Sequence, residues 1–553
     1  LCKQGRIMFS NNSGNTANST GNDSGIGAIS TDAPVSTGPV WTQGRFAEQW
    51  YVSGNGFVGN GPESAHIDIT RVWSDYTGAG VRVALIDNFF DIDHQDLQGR
   101  FDLAASRDLA DAAGSVDIRP DDASANHGTM VAAVLGANGM DGSGMTGTAY
   151  GATLVGYVLR FGGTSQARST LESHLQTQLS DDISIINNSW SFNTAFADDF
   201  GAVAWQGVAN ALRAHAEDGR DGLGTVQVIG AGNDRQYDAL RYWLDGDNTN
   251  NHSATNSRYM ITVGATDADG VVSDFSTPGA SVFVAAPGEM ILTATPGDGD
   301  GNAADDYAFA RGTSFATPIV SGVTALMLEA NPTLGYRDVQ DILALSSRRV
   351  DPQGGQWLEN GASVWNGGGF YVNSDVGFGL VDAHAAVRLA ETWNRQQTAA
   401  NEVTATALAA IASPVATIDG DTRRFTLSVD AGEAFKTQWI ELAVDIEHPH
   451  IGDLTITLVS PSGMRSVLLD RPGAGTNSRD ALTFTLSSNQ FWGEDPNGVW
   501  TLEVSDAGGA ETGLVRSAAL TAFGSRSDDD SYVFTDDFAA LDRDPVTVTD
   551  SAG

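Results

Sequence analysis

The chain has 553 residues, 41% of them hydrophobic, which is enough for two or more domains with sizeable cores. Its 30 Lys and Arg stand against 69 Asp and Glu, a net charge of −39 that repels nucleic acid and anionic membrane and suits divalent cations. The one cysteine, Cys2, excludes an intrachain disulfide and Cys/His metal clusters, and no apolar run reaches the roughly 18 residues of a membrane-spanning helix.

Residues 1–40 are rich in Ser, Asn, Gly and Thr, as in Ser10 to Thr16, and read as a disordered segment rather than a folded inhibitory propeptide. The chain does not begin with Met, which reads as loss of a preceding segment and makes Cys2 a candidate for lipid attachment. Residues 41–395 then alternate between short apolar runs and helical patterns. The runs Val81–Asp87, Ile183–Asn188, Thr225–Ile229, Tyr259–Val263 and Ser281–Ala285 predict buried parallel strands. Helices are expected over Met130–Leu135 and Ala316–Glu329, with another capped at Thr333. Such alternation predicts an α/β domain around a parallel sheet.

Glu391 to Ser413 is polar and rich in Ala and Thr, and residues 396–413 are taken as a linker. From Phe425 the period changes to two: Trp439–Asp445, Leu454–Val459 and Val499–Val504 predict strands. Turn signals at Ser460–Gly463 and Asp495–Gly498 separate them. Residues 414–524 are therefore expected to form an antiparallel sandwich or jelly roll, followed by an acidic tail over 525–553.

Three segments carry chemistry, in the order Asp, His, Ser. Asp87 ends an apolar run, His127 opens Asn126-His-Gly-Thr129, and Ser314 lies in Gly312-Thr-Ser-Phe-Ala-Thr-Pro318 before an apolar helix. A carboxylate that orients an imidazole, an imidazole as general base and a hydroxyl at a helix start together make an activated nucleophile.

This order, with those surroundings, resembles the subtilases. The resemblance extends to the kexin and proprotein-convertase branch, of bacterial type given the cysteine poverty, and covers roughly residues 46–524. It implies a subtilisin-like parallel-sheet catalytic domain followed by an all-β jelly-roll P domain. The motifs that carry it include Phe46–Trp50, Asn188-Ser-Trp190, Asn256–Tyr259 and Gly377–Gly379. Val444–Gly463 and Phe491–Val504 resemble the P domain. The resemblance implies Asp87, His127 and Ser314 as a triad and Asn233, in Val228–Asn233, as oxyanion donor. It further implies substrate contacts at Ser189, Trp190 and Ser191.

Two departures bear on specificity. His252 stands where the family has an S1-floor Asp, and Thr277 replaces a Glu that helps to bind Ca²⁺. Asp198 and Asp199 remain as negative charge for S1, so cleavage after basic residues and a broader preference both stay open. Ca²⁺ is the implied cofactor, with Asp96, Asn138 and Asp141 at one site, Asp247 at a second and Asp108 with Asp111 at a third.

The reading is a secreted, Ca²⁺-stabilised serine endopeptidase acting on proteins or peptides, with a separate chaperone or propeptide as a further partner. The competing reading is a non-catalytic surface binding protein on the same fold.

Overall fold

The protein is described here by a computed structural model. It covers residues 44–53, 65–109, 117–120, 126–139, 142–160, 164–192, 194–235, 246–296, 306–350, 356–362, 369–417, 419–473, 479–507 and 511–526. Backbone pairing is also given for Ile7–Met8, Tyr532–Phe534 and Val546–Val548. Apart from those pairings, the segments 1–40 and 527–553 lie outside the described residues, as do Asp111 and Asp141.

Six parallel strands form the central sheet, in the spatial order Thr153–Val158, Arg82–Asp87, Ile185–Asn188, Val226–Gly230, Met260–Thr266 and Val282–Pro287. Their residues are almost all buried, as expected where helices cover both faces and no strand side meets water. The predicted strands are present within one or two residues at their starts.

Two helices begin earlier than their apolar pattern: His127–Gly136 starts at His127 itself, and Thr313–Ala330 starts one residue before Ser314. The helix expected from Thr333 instead spans Tyr336–Ser346. Its opening N–H at Gly335 is capped by the Asp338 carboxylate, while the Thr333 hydroxyl donates to Asn331 Oδ1 at 2.6 Å. A carboxylate placed three residues in outcompeted the hydroxyl as the cap.

The expected linker over 396–413 needs correction. Val403–Leu408 is a strand that pairs antiparallel with Leu514–Ser525, so the second domain begins before residue 414. Its alternating exposed and buried residues are the sheet period, which the Ala/Thr composition had disguised. This strand, Leu514–Ser525, Lys436–Glu447 and Ala481–Ser488, with the short Val415–Ala416 paired to Leu514–Ser525, make one sheet. Thr422–Val429, Gly498–Asp506, Leu454–Val459 and Arg465–Asp470 make the other. All pairings are antiparallel, giving a two-sheet β domain.

The two domains share one apolar core. Phe283 of the parallel sheet stacks on Trp439 (6.3 Å between centroids) and meets the edge of Trp492 (5.3 Å). Polar bonds flank it: Trp492 Nε1 donates to Asp341 Oδ1 (3.0 Å), and the Arg337 guanidinium donates to Gln438 Oε1 (2.8 Å).

Candidate active site

Asp87 closes the second strand of the sheet, and its carboxyl end is where α/β folds gather function. Its Oδ1 accepts from Nδ1 of His127 at 2.8 Å, with both side chains fully buried. Because a carboxylate only accepts, this bond places the proton on Nδ1 and leaves Nε2 as the basic nitrogen. The His127 turn is fastened to the Asp87 segment twice more. Asn88 Oδ1 accepts from the N–H groups of Gly128 and Phe89 (2.7 Å each), and Thr129 Oγ1 accepts from Asp91 N–H (2.9 Å).

Ser314 sits in the first turn of Thr313–Ala330, where unsatisfied N–H groups favour negative charge. Gly312 precedes it with φ of 144°, a conformation that side chains rarely tolerate and that explains the glycine of the motif. Pro318 lies inside the helix and lacks the N–H that would bond to the carbonyl of Ser314 four residues earlier. That carbonyl instead accepts from the Ser189 hydroxyl at 2.8 Å, while Ser314 Oγ lies 3.3 Å from the carbonyl of Ser189. Asn187 supports the pair: its Nδ2 donates to Ser189 Oγ (3.0 Å) and its Oδ1 accepts from Ser321 Oγ (2.8 Å) on the same helix as Ser314. The ring of Phe315, next to the serine, packs against His127 with centroids 5.8 Å apart.

Asn233 follows Val226–Gly230. Its Oδ1 accepts from the N–H (2.8 Å) and hydroxyl (3.1 Å) of Thr313, which fixes the orientation of the amide with the NH₂ as its other arm. Ser189, Trp190, Ser191, Gly230, Gly232, Asn233, Thr313 and Ser314 line one recess. A hydroxyl, a dipole-rich helix start and a side-chain amide facing one recess can hold a carbonyl group and the negative charge that attack would place on its oxygen.

The remaining expected residues are placed differently. His252 does not line the recess: it is buried with Nδ1 3.3 Å from Asp198 Oδ1 and Nε2 3.1 Å from Asp247 Oδ2. Burial alone would lower its pKa, but the two carboxylates hold it well above the ordinary histidine value. Asp247 is thus paired to an imidazole through Oδ2, and its Oδ1 accepts from Asn251 Nδ2 at 2.9 Å. Asp199 also stays out of the lining, its Oδ1 accepting from Gly201 N–H (2.9 Å) in its own turn. Asp108 is fully buried and bonded to the Arg160 guanidinium at 2.5 Å. Asp96 is buried, with Oδ2 accepting from Met145 N–H (3.0 Å) and Tyr307 Oη (2.8 Å). Gly144 lies so close that a Cβ there would fall 1.9 Å from Asp96 Oδ1. Asn138 adjoins it, its N–H donating to the carbonyl of Asp96 at 2.7 Å.

Residues not singled out from the sequence include Asn88, Thr129, Asn187, Thr313 and Ser321. Thr313 and Thr129 sat inside the recognised motifs. Asn187 and Ser321 gave no local signal, because they meet across 134 residues of chain.

Comparison with known proteins places this geometry. Residues 78–379 match the Subtilase family, and residues 437–522 match the proprotein convertase P-domain. "Proprotein convertase subtilisin/kexin type 4" of Mus musculus is 30% identical over 512 residues, covering 88% of this chain and 71% of the mouse protein. "PC3-like endoprotease variant B" of Hydra vulgaris is 29% identical over 480 residues, covering 83% of this chain and 63% of its own length. A second Hydra variant is matched over 56% of its length, so the chain spans less than two thirds of these Hydra relatives. The solved serine protease of Aeromonas sobria, in complex with its chaperone, has a TM-score of 0.74 and 22% identity, covering 87% of this chain and 95% of that one. That last likeness is one of fold.

Proposed function

Because the chain belongs to the subtilase family and continues into a proprotein convertase P domain, we propose that it is a secreted, Ca²⁺-stabilised serine endopeptidase. The observation that carries this reading is the buried 2.8 Å bond from His127 Nδ1 to Asp87, made beside a recess that holds Ser314 and Asn233. Nε2 of His127 takes the Ser314 proton as the hydroxyl oxygen attacks a peptide carbonyl. Asp87 holds the ring and stabilises the imidazolium. The amide of Asn233 and the N–H of Ser314 bind the oxyanion. His127 then gives its proton to the leaving amine, and water releases the acyl-enzyme by the same steps. The substrate lies extended along the Ser189-Trp190-Ser191 edge in the manner of an added strand.

Ca²⁺ fits the corner formed by Asp96, Asn138 and the turn at Gly144, where a buried carboxylate meets a glycine that leaves room for no side chain. Asp141, a further ligand in this reading, lies outside the described residues. The ion supplies fixed positive charge that holds the loop in place. Secretion is in keeping with the relatives' class, and among the described residues no helix is long and apolar enough to cross a membrane. A separate chaperone is a partner of the Aeromonas protease named above, and we extend that class of partner to this chain.

The test is hydrolysis of a positional peptide library by the purified protein and by Ser314→Ala, with and without Ca²⁺. Turnover lost in the variant is the expected result. Cleavage after Lys or Arg supports the convertase-like preference, and cleavage elsewhere the broad one. No turnover in folded, Ca²⁺-loaded protein moves the reading to a chaperone-dependent protease or a purely binding protein.

A further inference from the structure

The wall of the recess continues away from the catalytic residues through a line of aromatic rings. Trp190, which lines the recess, meets Phe192 edge to face (5.6 Å between centroids), and Phe192 meets Trp205 in the same way (5.3 Å). All three are buried, in an apolar cluster separate from the core that the two domains share. The indole N–H of Trp205 donates to the carbonyl of Ala197 at 2.9 Å. Phe196, next to Ala197, belongs to the shared core instead. Its ring stands edge-on to that of Phe484, on the β-domain strand Ala481–Ser488, with centroids 5.0 Å apart. A contiguous line of contacts thus runs from the β domain to the recess, and the Trp205–Ala197 hydrogen bond carries it from one core to the other.

Phe196 holds a backbone conformation unusual for so bulky a residue. Its φ is 60°, in the left-handed region, where such a side chain stays only if its surroundings keep it there. The N–H of Phe196 donates to the carbonyl of Asn251 at 2.6 Å. The β domain supplies the other restraints. Besides the Phe484 ring, Arg479 donates to the Phe196 carbonyl at 3.4 Å, with its guanidinium 5.7 Å from the centre of the Phe196 ring. A turn that needed only this φ would be served better by glycine, so the phenyl ring is there for its contact.

We infer that Phe196 is a positioning residue through which the β domain sets the substrate edge at Ser189, Trp190 and Ser191. Phe484 fixes the Phe196 ring, the Ala197 carbonyl beside it fixes the Trp205 indole, and the ring line fixes Trp190. Packed side chains of this kind transmit a disturbance at one end to the other. Each substrate residue laid along an edge strand adds main-chain bonds, so a long peptide depends on the edge more than a short one does. The consequence for substrate rests on the endopeptidase reading above. The coupling of Phe484 to Trp205 does not, because it concerns the folded chain alone.

The first experiment follows the Trp205 indole N–H in ¹H–¹⁵N spectra of the whole protein, assigned by its loss in Trp205→Phe. In Phe484→Leu that signal should shift and exchange with solvent at least about threefold faster. Phe196→Leu should do the same, and serves if the first variant does not fold. Phe425→Leu, which removes a buried ring from the other sheet of the β domain, controls for general loosening and should leave the signal alone. An indole unmoved in Phe484→Leu, or moved equally in the control, overturns the inference whether or not the protein cleaves peptides. The second experiment compares a short and a long peptide that share the cleaved bond. In Phe484→Leu the KM of the long peptide should rise about 3- to 10-fold, with kcat and the short peptide little affected. An equal loss for both peptides, or an unchanged KM, overturns the role at the substrate edge. A parent protein without turnover counts against the endopeptidase reading alone and leaves the indole result to decide the coupling.

Discussion

The hydroxyl of Ser189 donates to the carbonyl of Ser314 at 2.8 Å, and Pro318 explains why that carbonyl is available. An ordinary residue at position 318 would have bonded it from within the helix. The proline thus couples the helix start that carries the nucleophile to the wall that takes the substrate. Ser189→Ala should cost about 1–3 kcal/mol of stability, as a buried acceptor loses its donor, and should lower kcat. Adding Pro318→Ala supplies a new N–H and should recover part of the stability. Thermal unfolding of the two single variants and the double variant reads this, and strictly additive losses would refute it.

Asn233 is held by two bonds from Thr313 to its oxygen, so its amide is aimed before any substrate arrives. Asn233→Ala should lower kcat by about 10²–10³ with KM little changed, since the amide acts on charge that develops only during reaction. Steady-state kinetics decides: a change confined to KM would mean that Asn233 binds substrate rather than the oxyanion.

Asn88 Oδ1 takes the N–H of Gly128, directly after His127, and so holds the base in register with Asp87. Asn88→Ala should lower kcat about tenfold or more at nearly unchanged KM, a cost typical of displaced catalytic groups. Asn88→Asp keeps the acceptor and should restore most of it. The pH profile of kcat/KM should shift in the alanine variant alone. A loss seen only in thermal stability, with the pH profile unmoved, would make Asn88 structural.

Much of this was legible in the sequence because it is local. Asp87, His127 and Ser314 each end or begin an element whose period is plain, and the parallel strands are continuous apolar runs. What was not legible depends on contacts between distant segments. Asp198 and Asp247 are 49 residues apart and become neighbours only through His252, which contacts both. Asp108 likewise meets Arg160 across 52 residues. Val403–Leu408 reads as linker because Ala and Thr have weak apolar character, and only its pairing with Leu514–Ser525 makes it a strand.

Two histidines outside the site should set the acid limit of the fold. His174 donates from Nε2 to the carbonyl of Val158, and His215 from Nε2 to that of Leu175, each at 2.8 Å. Burial pushes both pKa values down from 6.5 to about 4, against the smaller pull of those carbonyls. Between these values the unfolded chain binds protons that the native state refuses. Their contribution is therefore full above pH 6.5 and is lost as pH falls towards 4, by about 3 kcal/mol for each group. His252, with its pKa raised, behaves oppositely: its contribution is present below pH 6.5 and is lost only as pH rises through its elevated value. Denaturant unfolding between pH 7.5 and 4.5 should show stability falling with acid. His215→Gln, which keeps a donor for Leu175 and an acceptor for Thr225, should flatten that slope. A variant slope equal to the parent's would mean that His215 does not refuse its proton, and the acid limit would have to lie with other groups.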